Sequence, residues 1–162
     1  MIDVELEYAW FFRAEFPQVA RTVFLILHDR GRAEDITQEA FIQLLAHWKK
    51  VSRYERPDAW VRRVAIRLAV RTVKRERMRN ILERSDVPPP VEEVPDLDVA
   101  GAIAGLSPMQ RAAVVLFYFE DRPIAEIVHI LGIGEGSVKV HLHRARERLA
   151  GVLGEEVGED AR

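Results

Sequence analysis

The sequence predicts an all-α protein of two small helical domains joined by a proline-rich linker. Three observations predict it. Apolar residues recur at helical spacing along nearly the whole chain. No stretch alternates with period two for long enough to make a strand. The composition breaks once, at Ser85 to Asp98 ("SDVPPPVEEVPDLD"), where four prolines and five acids leave almost nothing to bury. Such a segment is stiff and extended. The expected organisation is therefore a first domain over 1–84, a linker over 85–98, a second domain over 99–153 and a disordered tail over 154–162. Each domain is near the size at which burial becomes marginal.

In the first domain, Phe12, Phe16, Val19, Ala20, Val23 and Leu27 fall on one helical side. They predict a first helix across much of 3–28, with Pro17 as a kink or break and Asp29-Arg30-Gly31 as its end. Glu34 to Trp48 predicts a second helix, with acids in its first turn where they complement the helix dipole. Its apolar side carries Ile36, Ala40, Phe41, Leu44 and Trp48. Ser52 to Asp58 reads as a loop. A long helix over 59–82 follows, with Trp60, Val64 and Leu68, and Val61 beside them, expected to face the core, and Arg63, Arg67 and Arg71 as a separate basic stripe at i, i+4 and i+8.

In the second domain, Ile124 to Leu131 is a short amphipathic helix ended by Gly132, a residue suited to the left-handed conformation. A further helix starts near Glu135, giving a helix-turn-helix. At 100° per residue its buried face is Val138, Leu142, Ala145 and Leu149. The same geometry separates His141 from His143 by about 200°, so the His-x-His pair cannot chelate one ion from a helix.

Composition excludes several function classes. The chain has no cysteine, so disulfides, thiolate metal sites and cysteine nucleophiles are ruled out, and a reducing cytoplasmic setting is expected. No apolar run approaches the ~20 residues of a membrane span. No paired carboxylates, phosphate-binding loop or catalytic triad can be placed with credible spacing, so neither enzyme activity nor a cofactor is expected. The net charge of −2 conceals a segregation. Nine basic residues lie between Trp60 and Arg84 against Glu76 and Glu83 alone; a second cluster is Lys139, Arg144, Arg146 and Arg148. Acids gather in the linker and the tail. Charge sorted this way suggests an anionic partner met at two places.

The segment Leu106 to Leu149 ("LSPMQRAAVVLFYFEDRPIAEIVHILGIGEGSVKVHLHRARERL") resembles region 4 of the sigma-70 family, and in particular the small extracytoplasmic-function (ECF) sigma factors. Ala33 to Trp48 resembles region 2.2, and Arg56 to Arg77 resembles regions 2.3 and 2.4. The likeness covers most of the chain in order, with the linker in the matching place.

What this resemblance implies is a promoter-specificity subunit with no catalytic residues of its own. Asp35, Gln38, Glu39 and Ile42 would dock on the β′ clamp helices of core RNA polymerase, and the second domain would meet the β flap. Arg53, Tyr54 and Arg56, on the loop that in the family encloses a flipped-out base, and Arg63, Arg67 and Arg71 would meet the −10 element. The family usually has asparagine near position 67 and often a polar or acidic residue near 71; arginine at both strengthens phosphate attraction there. Ser137, Lys139, Val140, His141 and Arg144 would contact the −35 element as duplex, with Val140 suited to a thymine methyl. The resemblance also implies an anti-sigma factor as partner. Promoter elements about 17 base pairs apart lie roughly 58 Å from each other at ~3.4 Å per pair; an extended linker of fourteen residues reaches at most ~50 Å, and the domains' own widths cover the rest. Two alternatives stay open: a sigma-like mimic that binds only an anti-sigma factor, and a helix-turn-helix repressor.

Overall fold

The computed structural model describes residues 3–83 and 97–153. Among these residues there is no strand; the elements are α1 (Val4–Leu27), α2 (Arg30–Ala46), α3 (Trp48–Val51), α4 (Pro57–Glu83), α5 (Leu97–Ala104), α6 (Pro108–Val114), a π-helical turn (Val115–Phe119), α7 (Ile124–Leu131) and α8 (Glu135–Leu153). The all-α expectation is met. The expected linker lies outside the described residues except at its end, where α5 opens at Leu97, two residues before the expected start of the second domain. The expected disordered tail lies wholly outside them.

Local chemistry explains where the helices begin and end. Asp3 caps α1 by accepting from the Glu5 N–H at 3.2 Å. The helix ends at His28, whose φ of 56° puts a non-glycine residue in the left-handed region. Asp29 then accepts from the Arg32 N–H at 3.1 Å and caps α2. That cap corrects the expected start at Glu34: Arg30 and Gly31 belong to the helix because an aspartate precedes them. Pro17 does not end α1, which continues through it to Leu27. Ser107 and Gln110 form a reciprocal capping box with Pro108 in the first turn of α6. Ser-Pro-Met-Gln carries that signature in the sequence.

The first module is α1 to α4. Tyr8, Phe11, Phe12 and Phe16 project from α1 at helical spacing onto Phe41 and Trp48. Ring centroids lie 5.1 Å apart for Phe12–Phe41 and Phe11–Trp48, and 5.4 Å apart for Tyr8–Trp48. The Tyr8 hydroxyl donates to the Phe41 carbonyl at 2.7 Å, so the polar tip of this cluster is satisfied. On α4 the buried residues are Ala59, Val61, Arg62, Ala65, Ile66, Ala69, Val70 and Val73. Of the residues expected to face the core, Val61 does so, whereas Trp60, Val64 and Leu68 are only partly buried at its edge. Small alanines explain the difference, because they let α4 approach its neighbours closely on their own side.

The second module is α5 to α8, with Ile127, Ile130, Val138, Leu142, Ala145 and Leu149 buried as the helical wheel requires. The two modules are in contact. α7 lies on α4, and α5 and α6 lie against α1. One continuous cluster of buried apolar side chains runs from Val19 and Phe41 through Ala65 to Leu116, Ile127 and Leu142.

Because Phe41 is buried beneath the rings of Phe11, Phe12 and Phe16, Phe41→Ala should cost about 3–5 kcal/mol. The measurement is the urea midpoint by circular dichroism, and a midpoint equal to the wild type would contradict this packing.

Candidate nucleic-acid interface

The helix-turn-helix is built as the sequence predicts. Gly132 ends α7 with φ of 67° and donates its N–H to the Val128 carbonyl at 2.9 Å. The Val138 N–H then bonds the Gly134 carbonyl at 3.1 Å as α8 begins. With Val138, Leu142 and Ala145 buried, α8 turns Ser137, Lys139, Val140 and Arg144 outward. Val140 is 45% exposed, an apolar side chain placed among polar ones. Lys139 pairs with Glu135 at 3.0 Å along the helix surface, a solvated contact of small worth. His141 is half-buried; burial, reinforced by the neighbouring Arg144 charge, lowers its pKa and favours the neutral imidazole.

The basic cluster of α8 divides in two. The Arg146 guanidinium lies 5.7 Å from the ring centroids of both Phe117 and Tyr118, and its Nε donates to the Tyr118 hydroxyl at 2.7 Å. Arg148 donates to the Gly105 carbonyl at 2.9 Å. These two arginines hold the second module together. Lys139 and Arg144 are the basic groups of α8 left facing outward.

In the first module, Asp35, Gln38, Glu39 and Ile42 all lie exposed along α2, opposite the buried Ala33, Ile36, Thr37, Ala40, Phe41 and Leu44. Ile42 is 67% exposed, which leaves an apolar group at the centre of a polar face. Arg53 and Tyr54 are exposed on the turn before α4, and Arg67 and Arg71 are exposed along it. Arg63 is half-buried, and its Nε is buried with no hydrogen-bond partner. The structure thus places Arg53, Tyr54 and Arg56 just before α4 and Arg63, Arg67 and Arg71 along its first half. They are not equally accessible, because the second module lies over part of this set.

A network of arginines and carboxylates joins the modules there, and nothing in the sequence reading anticipated it. Arg62, 1% exposed, donates from Nε to Glu120 at 2.7 Å and from Nη1 to Glu15 at 2.9 Å. Arg122 reaches across to Asp58 at 3.0 Å and pairs with Glu126 at 3.1 Å. Arg56 pairs with Asp58 at 3.2 Å and also with Glu126. Its hydrogen bonds to Asp58, above all, raise the Arg56 pKa further beyond its ordinary value. Burial works to raise the Asp58 carboxyl, but Arg56 and Arg122 outweigh it and hold it below its usual range. The stabilisation from Asp58 is therefore present above the ordinary carboxylate range and lost as pH falls through its depressed pKa.

The π turn positions this network. The Glu120 N–H bonds Val115 O at 3.1 Å across the wide turn, and Asp121, with φ of 52°, then reverses the chain toward Arg122. One signal in the sequence does point here: Arg62 shares a helical face with Ala65, Ile66, Ala69 and Val73, so a charge stands on an apolar stripe. Among the described residues no group of three or more His, Asp or Glu side chains could hold a metal ion, and no helix is long and apolar enough to cross a membrane.

Comparison with known proteins adds to this geometry. The family description "Sigma-70 region 2" matches residues 11–79, and "Sigma-70, region 4" matches residues 96–149. The chain is 30% identical over 149 residues to the ECF RNA polymerase sigma factor SigM of Mycobacterium tuberculosis, covering 88% of this chain and 75% of that protein. It is 29% identical to the ECF RNA polymerase sigma factor SigE of Mycolicibacterium smegmatis, over 92% of this chain but only 62% of that longer relative. Among solved structures, the sigma factor RpoE in complex with the anti-sigma factor NepR from Bartonella quintana superposes with a TM-score of 0.75. That match has 20% identity and covers 93% of this chain and 98% of RpoE, and it shows likeness of fold.

The two roles within the basic cluster of α8 separate experimentally. Arg146→Ala should lower folding stability by about 1 kcal/mol or more, whereas Arg144→Ala should leave it unchanged. Thermal melts of the two variants check this, and equal melting temperatures would contradict the division.

Proposed function

The chain belongs to the extracytoplasmic-function group of the sigma-70 family, and on that premise we propose that it binds core RNA polymerase and directs transcription from promoters carrying a −35 and a −10 element. In this role the chain has no catalytic group; specificity and strand opening are its contribution. The observation that carries the reading is the outward side of α8. A family match to region 4 coincides there with a helix-turn-helix whose second helix presents Ser137, Lys139, Val140 and Arg144, with half-buried His141 beside them. A helix so placed fits the major groove, where lysine and arginine contact phosphates or guanine edges and an apolar group meets the thymine methyl.

The first module carries the other half of the function. Arg63, Arg67 and Arg71 form a phosphate-attracting stripe on α4, and Arg53, Tyr54 and Arg56 stand at its N-terminal end. Extruding a base costs a few kcal/mol, which a pocket and stacking must offset. Exposed Tyr54, 43% accessible beside half-buried Trp60, supplies an aromatic surface for that purpose. Asp35, Gln38, Glu39 and Ile42 make the surface for the β′ clamp helices, and region 4 meets the β flap. An anti-sigma factor is the proposed regulator. Two weak DNA contacts on one chain gain affinity through effective concentration, provided both can engage at once.

The proposal separates opening from recruitment. In Arg67→Glu with Arg71→Glu, promoter opening should be abolished while core polymerase still co-purifies; transcription at the wild-type level would contradict the DNA role of α4. Replacing Asp35 and Gln38 by alanine should weaken polymerase association about tenfold or more, since polar contacts at a docking surface contribute of order 1–2 kcal/mol each. Undiminished co-purification of that variant would contradict the docking face.

A further inference from the structure

Arg63 differs from the other half-buried and buried arginines of α4 in having no counterpart. Its Nε is buried without a hydrogen-bond partner, and no carboxylate pairs with it among the described residues. Packing holds it instead: its Nη2 lies where a Cβ on Gly132 would approach within 3.2 Å. Arg56, nearby, is by contrast engaged by Asp58 and Glu126. A guanidinium partly withdrawn from water and left unpaired is costly unless an anion comes to it.

Arg63 lines a cleft of about 770 Å³, a volume within the range of about 300–1,000 Å³ typical of small-molecule sites. Tyr54 and Trp60 line it with Arg63 on the α4 side, and Ala125, Glu126 and His129 of α7 form the opposite wall. Trp60 is steadied by His47, whose ring centroid lies 5.8 Å away, and Tyr54 is 43% exposed. Aromatic rings in such a wall take a nucleobase by stacking. Glu126 presents little free charge to an anion, because Arg56 and Arg122 already pair with it. Glu55, exposed where it lines the cleft, offers acceptor oxygens to a base amino group. An unpaired guanidinium, an aromatic wall and a carboxylate acceptor match the phosphate, the base and the exocyclic amino group of a nucleotide.

We propose that the cleft between α4 and α7 binds a free purine mononucleotide, with its phosphate on Arg63 and its base against Trp60 and Tyr54. A purine fits better than a pyrimidine because its larger π face gains more from an aromatic wall. The site shares Tyr54 and Arg63 with the surface proposed for the −10 strand. It also requires Ala125 and His129 of α7, which that surface does not include. Only the folded chain has both walls, so bound nucleotide should raise the melting temperature as its concentration rises.

The test is equilibrium dialysis of the full chain against radiolabelled GMP and AMP, with unlabelled guanosine and inorganic phosphate as competitors that each carry half of the ligand. The expected result is one saturable site with a Kd below about 1 mM for a mononucleotide, and competition at least about tenfold weaker by either half. Arg63→Gln should weaken nucleotide binding at least about tenfold, as loss of a charged hydrogen bond does. Ala125→Trp, at an exposed position, fills the cleft from the α7 side. It should abolish nucleotide binding while a fork-junction oligonucleotide still binds as it does to the wild type, with the far-UV spectrum unchanged. Absence of saturable binding of both GMP and AMP overturns the proposal and leaves the promoter role standing, since transcription reads that role separately. Nucleotide binding that survives Ala125→Trp places the ligand on α4 alone and overturns the two-walled site. Loss of nucleotide and oligonucleotide binding together in that variant overturns the distinction between this site and the strand-binding surface.

Discussion

A guanidinium with almost no exposed surface cannot remain in a protein interior without carboxylates beside it, because desolvating the charge costs several kcal/mol. Arg62 is such a group, and its position in the second turn of α4, facing the core, makes its needs architectural. Glu15 comes from α1, and Glu120 comes from the turn after α6. Satisfying one side chain therefore requires α1, α4 and the second module to meet at one place. Removing either carboxylate would leave the buried charge short of a close partner, with Asp58 at 3.8 Å the remaining support from its own helix, whereas moving the whole second module away admits water to Arg62. The interaction is thus intolerant of single truncation but compatible with opening, a combination suited to a joint between two modules.

Arg111 makes a second connection between the modules, at the C-terminal end of α1. Its Nη1 donates to the Ile26 carbonyl at 2.7 Å, and its remaining nitrogens donate to Leu106 O and Ala104 O. The last carbonyls of a helix have no partner within it, so a cation from the second module completes the end of α1. His28 sits at the same point, and burial together with the Arg111 charge lowers its pKa. Both junctions between modules therefore use arginine against oxygen, with an apolar seam between them. A seam of this kind holds a definite orientation through its polar ends and derives its cohesion from the apolar middle.

The parts legible in the sequence were those with a period or a punctuation mark. The turn at Gly132, the buried Val138, Leu142, Ala145 and Leu149, and the polar run of Asp35, Gln38 and Glu39 beside Ile42 all follow from 3.6-residue geometry. What lay beyond that reading depends on which residues distant in the chain face one another. Wheel geometry cannot distinguish Arg144 from Arg146, since only the placement of Phe117 and Tyr118 makes one structural. The π turn, which aims Glu120 at Arg62, has no periodic signature. The Trp60, Val64 and Leu68 stripe is the more apolar by side-chain size, yet the core lies on the alanine side of α4, because alanine is what close helix approach requires. For the candidate site, the resemblance to sigma factors supplied roles, while the structure supplied accessibility, and the two differ most at half-buried Arg63 and at Arg56, which Asp58 and Glu126 engage.

The most direct measurement of the central claim is run-off transcription by core RNA polymerase across a library of promoters, with and without the purified chain. The account predicts transcripts that depend on the chain and that require two elements at a fixed spacing, with the upstream element read by α8. Initiation that is unaffected by adding the chain, at every promoter in the library, would contradict it.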